Sequence, residues 1–439
     1  MDILKCLPPE ISVKILSFLN LKDILNCSLV CRLWYDLTNT NLVWKRFWEE
    51  DIPLKECEAS KDFGWILSQP CKWKLYFMNH KKIIHNWEED RYKRHEINGR
   101  WINSSAYDGK TLVINNHGLE VYRIEKGNLV HCQKLSFKKY DAYMCATNTS
   151  YIVVKYKPLI LVYHLINDRY KVAHMLYIRD RDSKLICSKE IRVLNEVNEQ
   201  SSLYTVGSNL MCILGHTLYV YMPHVKIMYA WNMKEMICLI EIKAHMSDFL
   251  YDKERVYICV NDSITAYDER ARMCFAVTPH WNIYKMHVNN HVLVAVGDGH
   301  SEVDICAWDK QTGTLLYNKK MFVSADCLLH PTKDILVDVL DAWPLEKKEI
   351  FACNIKDNMI LWRTLIGEYS ILGDLHSIVA DRFLLFFTYS RHIVDIHDAK
   401  YGNYLYSLYG VDDDDVFASY DILIYAKNKS VKLVVHVYS

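Results

Sequence analysis

The chain has 439 residues, and its 53 lysines and arginines are balanced by 53 aspartates and glutamates. This length exceeds what one hydrophobic core usually supports, so we expect two or three domains. The zero net charge gives no electrostatic reason to expect nucleic acid or an anionic membrane as a partner. No apolar run is long enough to cross a membrane, and residues 1–10 lack the features of a secretory signal. We therefore expect a cytoplasmic or nuclear protein, or one that occupies both compartments.

The cysteine pattern argues against a disulfide framework or a metal centre. The 15 cysteines are scattered, and many lie inside apolar runs, which is typical of reduced thiols in a protein core. Cys27 with Cys31, and His287 with His291, have the spacing of metal ligands, but no second ligand pair accompanies either of them. We expect neither a metal nor a cofactor.

Residues 8–48 have the pattern of several short helices. Pro8 and Pro9 suit a first helical turn, and Asp23 is expected to cap a second helix. Apolar residues at helical spacing form two stripes, Leu7, Ile11, Ile15, Phe18 and Leu19 in the first and Val30, Trp34 and Leu37 in the second. Helices this short bury only a small core, so some of these apolar groups are expected at the surface, available to a partner.

The same segment contains an ordered motif: Leu7-Pro8, Glu10, Ile15-Leu16-x-x-Leu19, Val30-Cys31-x-x-Trp34 and Leu42-x-Trp44. This motif resembles the F-box. The resemblance implies a helical module that docks onto a Skp-type adaptor, which is attached to a cullin carrying the ubiquitin-transfer machinery. The adaptor-binding residues that it implies are Leu7, Pro8, Ile15, Leu19, Val30, Cys31, Trp34, Leu42 and Trp44. The alternative interpretation is a helical cap that packs only on its own chain.

Residues 71–97 are rich in charge and have a helical period. They predict an amphipathic connector of about 25 residues, which would act as a semi-rigid spacer of ~37 Å. The segment resembles the linker of F-box proteins of the WD-repeat class, in which a helix ends in Asn-Trp before a basic stretch, here Asn86-Trp87 and Arg91 to Arg94. A helix whose charges serve only solubility is the alternative.

From about residue 100 the hydrophobic period changes to two, as in strands. Short strand pairs recur about every 40 residues, which predicts the blades of a propeller. The residues that we expect to end each second strand are Tyr122, Tyr163, Trp231, Tyr267, Trp308, Trp362, His397 and Val437. They indicate eight blades, with seven as the alternative, and the longer gap after Tyr163 predicts an insertion around the polar residues 190–202.

Several dipeptides resemble the signature of WD repeats. Tyr267-Asp268, Trp308-Asp309 and His397-Asp398 take the place of Trp-Asp. Asp262 and Asp357 are in the place of a turn aspartate, and His245 precedes its unit as the Gly-His pair would, whereas Gly215-His216 and Gly299-His300 lie too close to their anchors. The repeats are therefore degenerate. The alternating segment 431–438 predicts a strand that closes the ring against residues 101–107.

No catalytic triad, phosphate-binding loop or metalloprotease motif occurs in the sequence. Asp412 to Asp415 are adjacent carboxylates, and we expect them in a solvated loop because ion binding needs spaced oxygens. The sequence thus predicts a protein that is not an enzyme.

The predicted organisation is multidomain, with an all-α F-box module at 1–50, a helical linker at 51–98 and an all-β propeller of WD-like repeats at 99–439. The resemblance implies the substrate-recognition subunit of an SCF-type ubiquitin ligase, whose propeller binds a protein substrate through residues that the sequence does not identify. Two alternatives remain: a WD-repeat scaffold without ubiquitin transfer, and an effector or viral protein that diverts a host ligase.

Overall fold

The structure is a computed structural model. It describes residues 4–47, 70–98, 104–115, 118–135, 144–156, 159–179, 184–188, 211–222, 226–298, 302–342, 347–366, 373–380, 382–388, 392–427 and 432–438. Among these residues, those up to Tyr92 together with Tyr438 form one compact unit, and Lys93–Val437 form the other. The domain boundaries expected at residues 50 and 98 remain predictions.

The first unit is helical. A 3₁₀ helix and five α-helices occur in its described residues: 3₁₀ Leu4–Cys6, α1 Pro9–Leu16, α2 Leu21–Cys27, α3 Arg32–Thr38, α4 Asn41–Lys45 and α5 Lys72–Glu88. Helix α2 is capped by Asn20, whose Oδ1 accepts a hydrogen bond from the Asp23 N–H at 2.9 Å. The Asn20 Nδ2 in turn donates to the Asp23 carboxylate at 2.7 Å. The expectation that Asp23 is the cap is therefore wrong, because Asp23 is the third residue of the helix.

Helix α5 is shorter than the connector that the sequence predicts. It has 17 residues, and it is followed by a strand at Lys93–Asn98 instead of further helix. Asp90 has a φ of 50°, and Arg91 N–H donates to the carbonyl of Asn86 at 2.7 Å, which is the closing hydrogen bond of a Schellman motif. The predicted spacer of ~37 Å is wrong, since α5 measures only ~26 Å at 1.5 Å per residue.

The second unit is built from strands. In chain order they are β1 Lys93–Asn98, β2 Ser104–Tyr107, β3 Thr111–Asn115, β4 Leu119–Glu125, β5 Asn128–Leu135, β6 Met144–Thr147, β7 Tyr151–Lys155, β8 Leu159–Ile166, β9 Arg169–Arg179, β10 Lys184–Ser188, β11 Met211–Leu214, β12 Thr217–Met222, β13 Ile227–Asn232, β14 Ile237–Lys243, β15 Met246–Tyr251, β16 Val256–Val260 and β17 Ser263–Tyr267. The remaining strands are β18 Met273–Val277, β19 Ile283–Val288, β20 Val292–Gly297, β21 Val303–Asp309, β22 Leu315–Met321, β23 Leu328–Leu329, β24 Ile335–Ala342, β25 Lys347–Asn354, β26 Ile360–Leu365, β27 Gly373–Val379, β28 Phe383–Thr388, β29 Ile393–Asp398, β30 Tyr404–Tyr409, β31 Val411–Ser419, β32 Ile422–Lys427 and β33 Lys432–Val437.

These strands form eight antiparallel sheets in the described part of the chain, and they are the blades of a β-propeller. Blades 1 to 7 contain β2–β5, β6–β10, β11–β14, β15–β18, β19–β22, β23–β26 and β27–β30, and blade 8 contains β31, β32, β33 and β1. Blade 2 has a fifth strand, β10, and the predicted insertion at 190–202 lies outside the described residues. The prediction of an eight-bladed propeller is confirmed.

Neighbouring blades share apolar cores. One apolar cluster contains residues of blades 5 and 6, for example Ile305 and Phe351. Another contains residues of blades 6 and 7, for example Ile350 and Phe386. Most middle strands are buried along their whole length, as in β20 and β28. Each blade therefore depends on its neighbours to cover its two faces.

One irregularity repeats from blade to blade. In blades 1 to 7 the fourth strand carries one extra residue opposite the end of the third strand, which is a β-bulge. The third-strand residues at this bulge are Tyr122, Tyr163, Trp231, Tyr267, Trp308, Cys353 and His397. Six of the predicted anchors occupy this position, but Trp362 does not: it lies in the fourth strand β26, and Cys353 takes its place.

The residue that follows the bulge position explains the aspartate of the Trp-Asp signature. Asp268, Asp309 and Asp398 each accept hydrogen bonds from backbone N–H groups of the following turn, for example from Gln311 and Thr312 to Asp309 at 3.0 and 2.8 Å. Asn232 and Asn354 form the same contacts in blades 3 and 6. The signature is thus an Asx turn that joins the third and fourth strands.

The two turn aspartates have different places. Asp262 lies in the turn between β16 and β17 and accepts a hydrogen bond from Ile283 N–H of the next blade at 2.9 Å. Asp357 lies in the turn after the third strand β25, where it accepts from Met359 N–H at 3.0 Å. The expectation for Asp357 is therefore wrong, and the cause is the same shift by one strand that displaced Trp362.

The same turns contact the preceding blade through two glycines. A Cβ on Gly402 would lie 2.4 Å from the Trp362 ring, and one on Gly313 would lie 2.7 Å from the Phe275 ring. Both glycines have positive φ, 74° and 72°. Trp362 Nε1 also donates to the carbonyl of Ala399 at 3.2 Å. Rings on the fourth strand of one blade thus hold the turn of the next.

The ring is closed by β33, which pairs with β32 on one side and with β1 on the other. A core that contains Ile114 of blade 1 and Ile424 of blade 8 joins the first and last blades. Closure by the last strand is confirmed, but its predicted partner at 101–107 is wrong, since the partner is Lys93–Asn98. Asp412–Asp415 belong to β31, in the stretch where its pairing with β32 shifts, and not to a loop.

Candidate functional site

The core of the helical unit is small. Its main cluster contains the buried apolar residues Leu4, Leu16, Ile24, Leu37, Val43 and Trp44. The Trp44 indole donates a hydrogen bond to the carbonyl of Thr38 at 2.8 Å, and its ring lies 5.6 Å from Phe77. These contacts tie the end of α3, α4 and α5 together.

The face that α1 buries is not its most apolar one. Ser12 is fully buried and donates to the carbonyl of Leu4 at 3.2 Å, and Leu16 beside it is also buried. The face with Ile11 and Ile15 is consequently turned outward, and Phe18, two residues after the end of α1, is 79% exposed. A short helix with isoleucines at its surface, followed by an exposed phenylalanine, is typical of a docking element.

The turn between α2 and α3 adds further apolar surface. Leu29 and Val30 are 83% and 61% exposed, and Leu25 on α2, Leu33 on α3 and Leu42 on α4 are also exposed. Large apolar side chains of this number are uncommon on so small a folded unit, because each one left in water forfeits ~1.5 to 3 kcal/mol of transfer free energy. We define the exposed residues Pro8, Ile11, Ile15, Phe18, Leu25, Leu29, Val30, Cys31, Leu33 and Leu42 as the apolar surface.

The predicted adaptor-binding residues fall into three groups by exposure. Pro8, Ile15, Val30, Cys31 and Leu42 are exposed. Leu7, Leu19 and Trp34 are half-buried and pack against the core. Trp44 is 1% exposed and belongs to the core. The motif thus combines surface residues with the residues that hold them in place.

Sequence reasoning did not assign a binding role to Ile11, Phe18, Leu25, Leu29 or Leu33, although all are exposed. A signal for two of them was present, since Phe18 follows Ile11 and Ile15 at helical spacing. The sequence did not show which face of α1 packs inward, because that depends on the contact of Ser12 with Leu4.

The first half of α5 completes the helical core. Asn39 Oδ1 accepts a hydrogen bond from Cys71 N–H at 2.8 Å, directly before the helix. Lys74 is buried, and its Nζ lies 4.6 Å from the centre of the Tyr35 ring and 5.3 Å from that of Trp44. Burial lowers the pKa of Lys74, and the two aromatic faces offset part of that cost. This part of α5 belongs to the core of the helical unit and is not a free spacer.

The end of α5 contacts the penultimate residue of the chain. Trp87 and Tyr438 stack with their ring centres 3.7 Å apart and an angle of 8° between the planes. Asn86 Nδ2 donates to the carbonyl of Tyr438 at 3.1 Å. The Asn-Trp pair that the sequence singled out therefore holds Tyr438.

The described residues also bear on metal and membrane binding. Within these ranges, no group of three or more His, Cys, Asp or Glu side chains is placed to hold a metal ion. Cys27 and Cys31 both have free thiols. None of the helices in the described part of the chain is long and apolar enough to span a membrane.

Comparisons with known proteins agree with this arrangement. The F-box-like family model matches residues 4–50. Over 82 residues the chain is 35% identical to "Probable E3 ubiquitin ligase complex SCF subunit sconB" of Arthroderma otae, which corresponds to 19% of this chain and 10% of that protein. Over 119 residues it is 26% identical to an F-box protein of Saccharomyces cerevisiae, or 22% of this chain and 19% of that protein. The chain therefore spans a fifth or less of the length of these two relatives.

Two solved structures share the propeller fold. Sqt1 of Saccharomyces cerevisiae superimposes with a TM-score of 0.51 and 11% identity, covering 78% of this chain and 98% of that one. The computationally designed Ika8 protein gives a TM-score of 0.50 and 11% identity, over 77% and 96% of the two chains. At this identity the likeness concerns the fold alone. The chain thus carries an F-box-like domain, matched at residues 4–50, and an eight-bladed β-propeller formed by strands within residues 93–437.

Proposed function

We propose that this chain is the substrate-recognition subunit of an SCF-type ubiquitin ligase. Its F-box-like domain binds a Skp-type adaptor, and through the adaptor a cullin, while the propeller binds a protein substrate. The observation that carries the proposal is the apolar surface, which lies within the residues matched by the F-box-like family model and includes five residues of the motif. The chain acts as a non-catalytic receptor in the cytoplasm or the nucleus, without nucleic acid or membrane as a partner.

The binding energy is expected to come from the exposed members of the motif. Interfaces concentrate their energy in a few apolar anchors that become desolvated on binding. Ile15, Val30 and Leu42 are exposed enough to make such contacts, and Pro8 and Cys31 are the exposed N-cap residues of α1 and α3. Trp44 contributes indirectly, by supporting the helices on which these residues lie.

The propeller suits the role of receptor because its blades are held to one another. Shared cores and the ring contacts at Gly313 and Gly402 fix the blades, so that loops can bind a substrate without large rearrangement. Ubiquitin transfer is then accelerated by proximity, since a bound substrate lysine reacts locally and not by chance encounter.

The test uses the full chain and a purified Skp-type adaptor. The double variant Ile15→Asp, Val30→Asp should lose adaptor affinity, because two exposed anchors are replaced by carboxylates that must be desolvated. Each anchor is worth ~2 kcal/mol or more, which is roughly thirtyfold in Kd. Met78→Asp is the matched control, since Met78 is 51% exposed on α5 and lies outside the motif.

Circular dichroism and calorimetric titration together decide the result. A double variant that keeps wild-type helicity and wild-type affinity would refute the adaptor proposal. If the adaptor binds but a reconstituted ligase transfers no ubiquitin to any captured protein, the scaffold interpretation is correct. An effector that diverts a host ligase uses the same contacts and would be recognised by its preference for a foreign adaptor.

A further inference from the structure

The outer strand of blade 6, β26, differs from the outer strands of blades 3 and 5 in its exposed side chains. Along β26 the residues from Leu361 to Leu365 alternate between exposed and half-buried, which leaves Leu361, Arg363 and Leu365 facing outward. The strand pairs only with β25 in the described residues, so its second edge is open. An open edge with outward leucines is a template for another strand.

The outer strands of blades 3 and 5 each have an exposed lysine at the position that corresponds to Leu365. The β-bulge aligns Leu365 with Lys243 of β14 and with Lys320 of β22, and both lysines are exposed. Lysine at an open edge opposes strand addition because its charge would be desolvated. Blade 6 has leucine at that position, and the strand therefore lacks the protection found in blades 3 and 5.

The residues around β26 favour a negatively charged partner. Besides Arg363, the exposed cations of this region include Lys356 and Lys400, in the turns before β26 and β30. The exposed carboxylate of Asp357, beside Lys356, accepts a hydrogen bond from Met359 N–H at 3.0 Å. The Asp398 carboxylate is occupied by backbone N–H groups of its turn and by Arg382. Arg363 contacts Glu349 through one nitrogen at 3.3 Å and is 53% exposed, so further guanidinium N–H groups face solvent.

We propose that β26 binds an extended acidic polypeptide segment of a partner protein by strand addition. Apolar residues of that segment pair with Leu361 and Leu365, and a carboxylate between them pairs with Arg363. Backbone hydrogen bonds supply affinity, and the alternating side chains supply specificity. The site is independent of adaptor binding and does not rest on ubiquitin transfer.

The test uses the full chain and a fluorescent nine-residue peptide, Leu-Thr-Glu-Thr-Leu-Thr-Glu-Thr-Leu, measured by anisotropy. Its leucines and glutamates alternate on one face of the strand, because residues on the same face of a strand are two apart. Leu365→Lys is the main variant, because it installs the residue that two other blades already carry at this position. It should weaken peptide binding at least tenfold without changing the melting temperature. Lys243→Glu is the control on another outer strand, and it should leave the affinity within twofold of wild type.

A charge exchange provides the second arm. Arg363→Glu should weaken the glutamate peptide at least tenfold and strengthen a peptide in which lysine replaces glutamate. Unchanged affinities in Leu365→Lys, or an equal loss in Lys243→Glu, would overturn the proposal. Sedimentation velocity covers a further outcome: a wild-type dimer that Leu365→Lys converts to a monomer would identify β26 as a contact between copies and refute the peptide site.

Discussion

The helical unit and the propeller use their signature residues in opposite ways. In the helical unit the motif places Ile15, Val30 and Leu42 at the surface. In the propeller, the signature residues Trp231 and Trp308 are buried at a bulge. Part of the F-box motif is therefore exposed and available to a partner, whereas these two propeller residues are buried and support the fold.

Because of this difference in burial, effects of substitutions on folding stability and on partner binding can be measured separately. Substitutions of exposed motif residues in the helical unit should change binding and leave folding nearly intact. Substitutions at the repeating positions of the propeller should change folding first, because each contact there joins two blades. Three variants probe this contrast, beginning with the largest expected effect.

Trp44→Ala tests whether a buried residue of the F-box motif affects folding, and not binding directly. The indole is buried and is the donor to the Thr38 carbonyl, so its removal should cost ~3 to 5 kcal/mol of the free energy of unfolding of this unit. Adaptor binding should disappear together with the helical dichroism. Val30→Ala is the comparison: it should reduce adaptor affinity with helicity preserved. A folded Trp44→Ala variant that fails to bind would instead give Trp44 a direct role in the interface.

Gly402→Ala tests the contact between blades 6 and 7. The new Cβ would collide with the Trp362 ring at a positive φ, so we expect a destabilisation of ~2 to 4 kcal/mol, from ~1 kcal/mol of backbone strain and the rest from overpacking. Gly410→Ala has a similar φ of 72° but nothing within 4 Å, and it should cost only ~1 kcal/mol. Chemical denaturation measures both.

The contact with Trp362 is isolated by a double-mutant cycle. Trp362→Val should cost less in the Gly402→Ala background than in the wild type, because the clash is then relieved. Equal effects of the two glycine substitutions would show that the ring contact contributes nothing beyond the backbone conformation.

Substitution of Asp309 tests the Asx turn between β21 and β22, and it should change the free energy of unfolding least. Its carboxylate accepts hydrogen bonds from the Thr312 hydroxyl and from two backbone N–H groups, so Asp309→Ala should cost ~1 kcal/mol. Asp309→Asn should be nearly neutral at pH 7, since Asn232 and Asn354 form the same turn in blades 3 and 6. The hydrogen bonds from Thr312 lower the pKa of Asp309.

The pH dependence follows from the direction of that shift. A carboxylate whose pKa is lowered by folding contributes stability above its unfolded pKa of ~3.9 and loses it as the pH falls through the lower folded value. The melting temperatures of wild type and Asp309→Ala should therefore converge below about pH 4. A constant difference between pH 7 and pH 3 would contradict the role of the charged form.

Much of the architecture could be predicted from sequence because the hydrophobic pattern has a clear helical period in residues 8–48 and a clear period of two, typical of strands, after about residue 100. The order of residues from Leu7 to Trp44 indicated the F-box, and six of the seven bulge positions were recognised from an aromatic ring or a histidine at the end of a strand. Trp362 was misplaced because it is also an aromatic residue near a turn with an aspartate. Only the pairing register shows that it lies on the fourth strand, opposite Ala352.

The candidate site was less predictable, for two physical reasons. The outward face of α1 depends on which side chain reaches Leu4, which is a tertiary contact. The strand Lys93–Asn98 looked like helix because four of its six residues are charged or histidine, and its partner β33 is distant in sequence. Pairing with β33, and not its own propensity, makes it a strand.

The pairing of β1 with β33 has a consequence for synthesis on the ribosome. Glu96 and Lys432 meet at 2.7 Å although they are 336 positions apart. At ~5 to 20 residues per second, β1 waits roughly 20 to 70 s for its partner to be made. During that time its edge is open to other nascent chains. Before it pairs, β1 is kept charged by Lys93, Arg94 and Glu96. These charges make β1 difficult to recognise as a strand from sequence, and they also oppose its aggregation until blade 8 is complete.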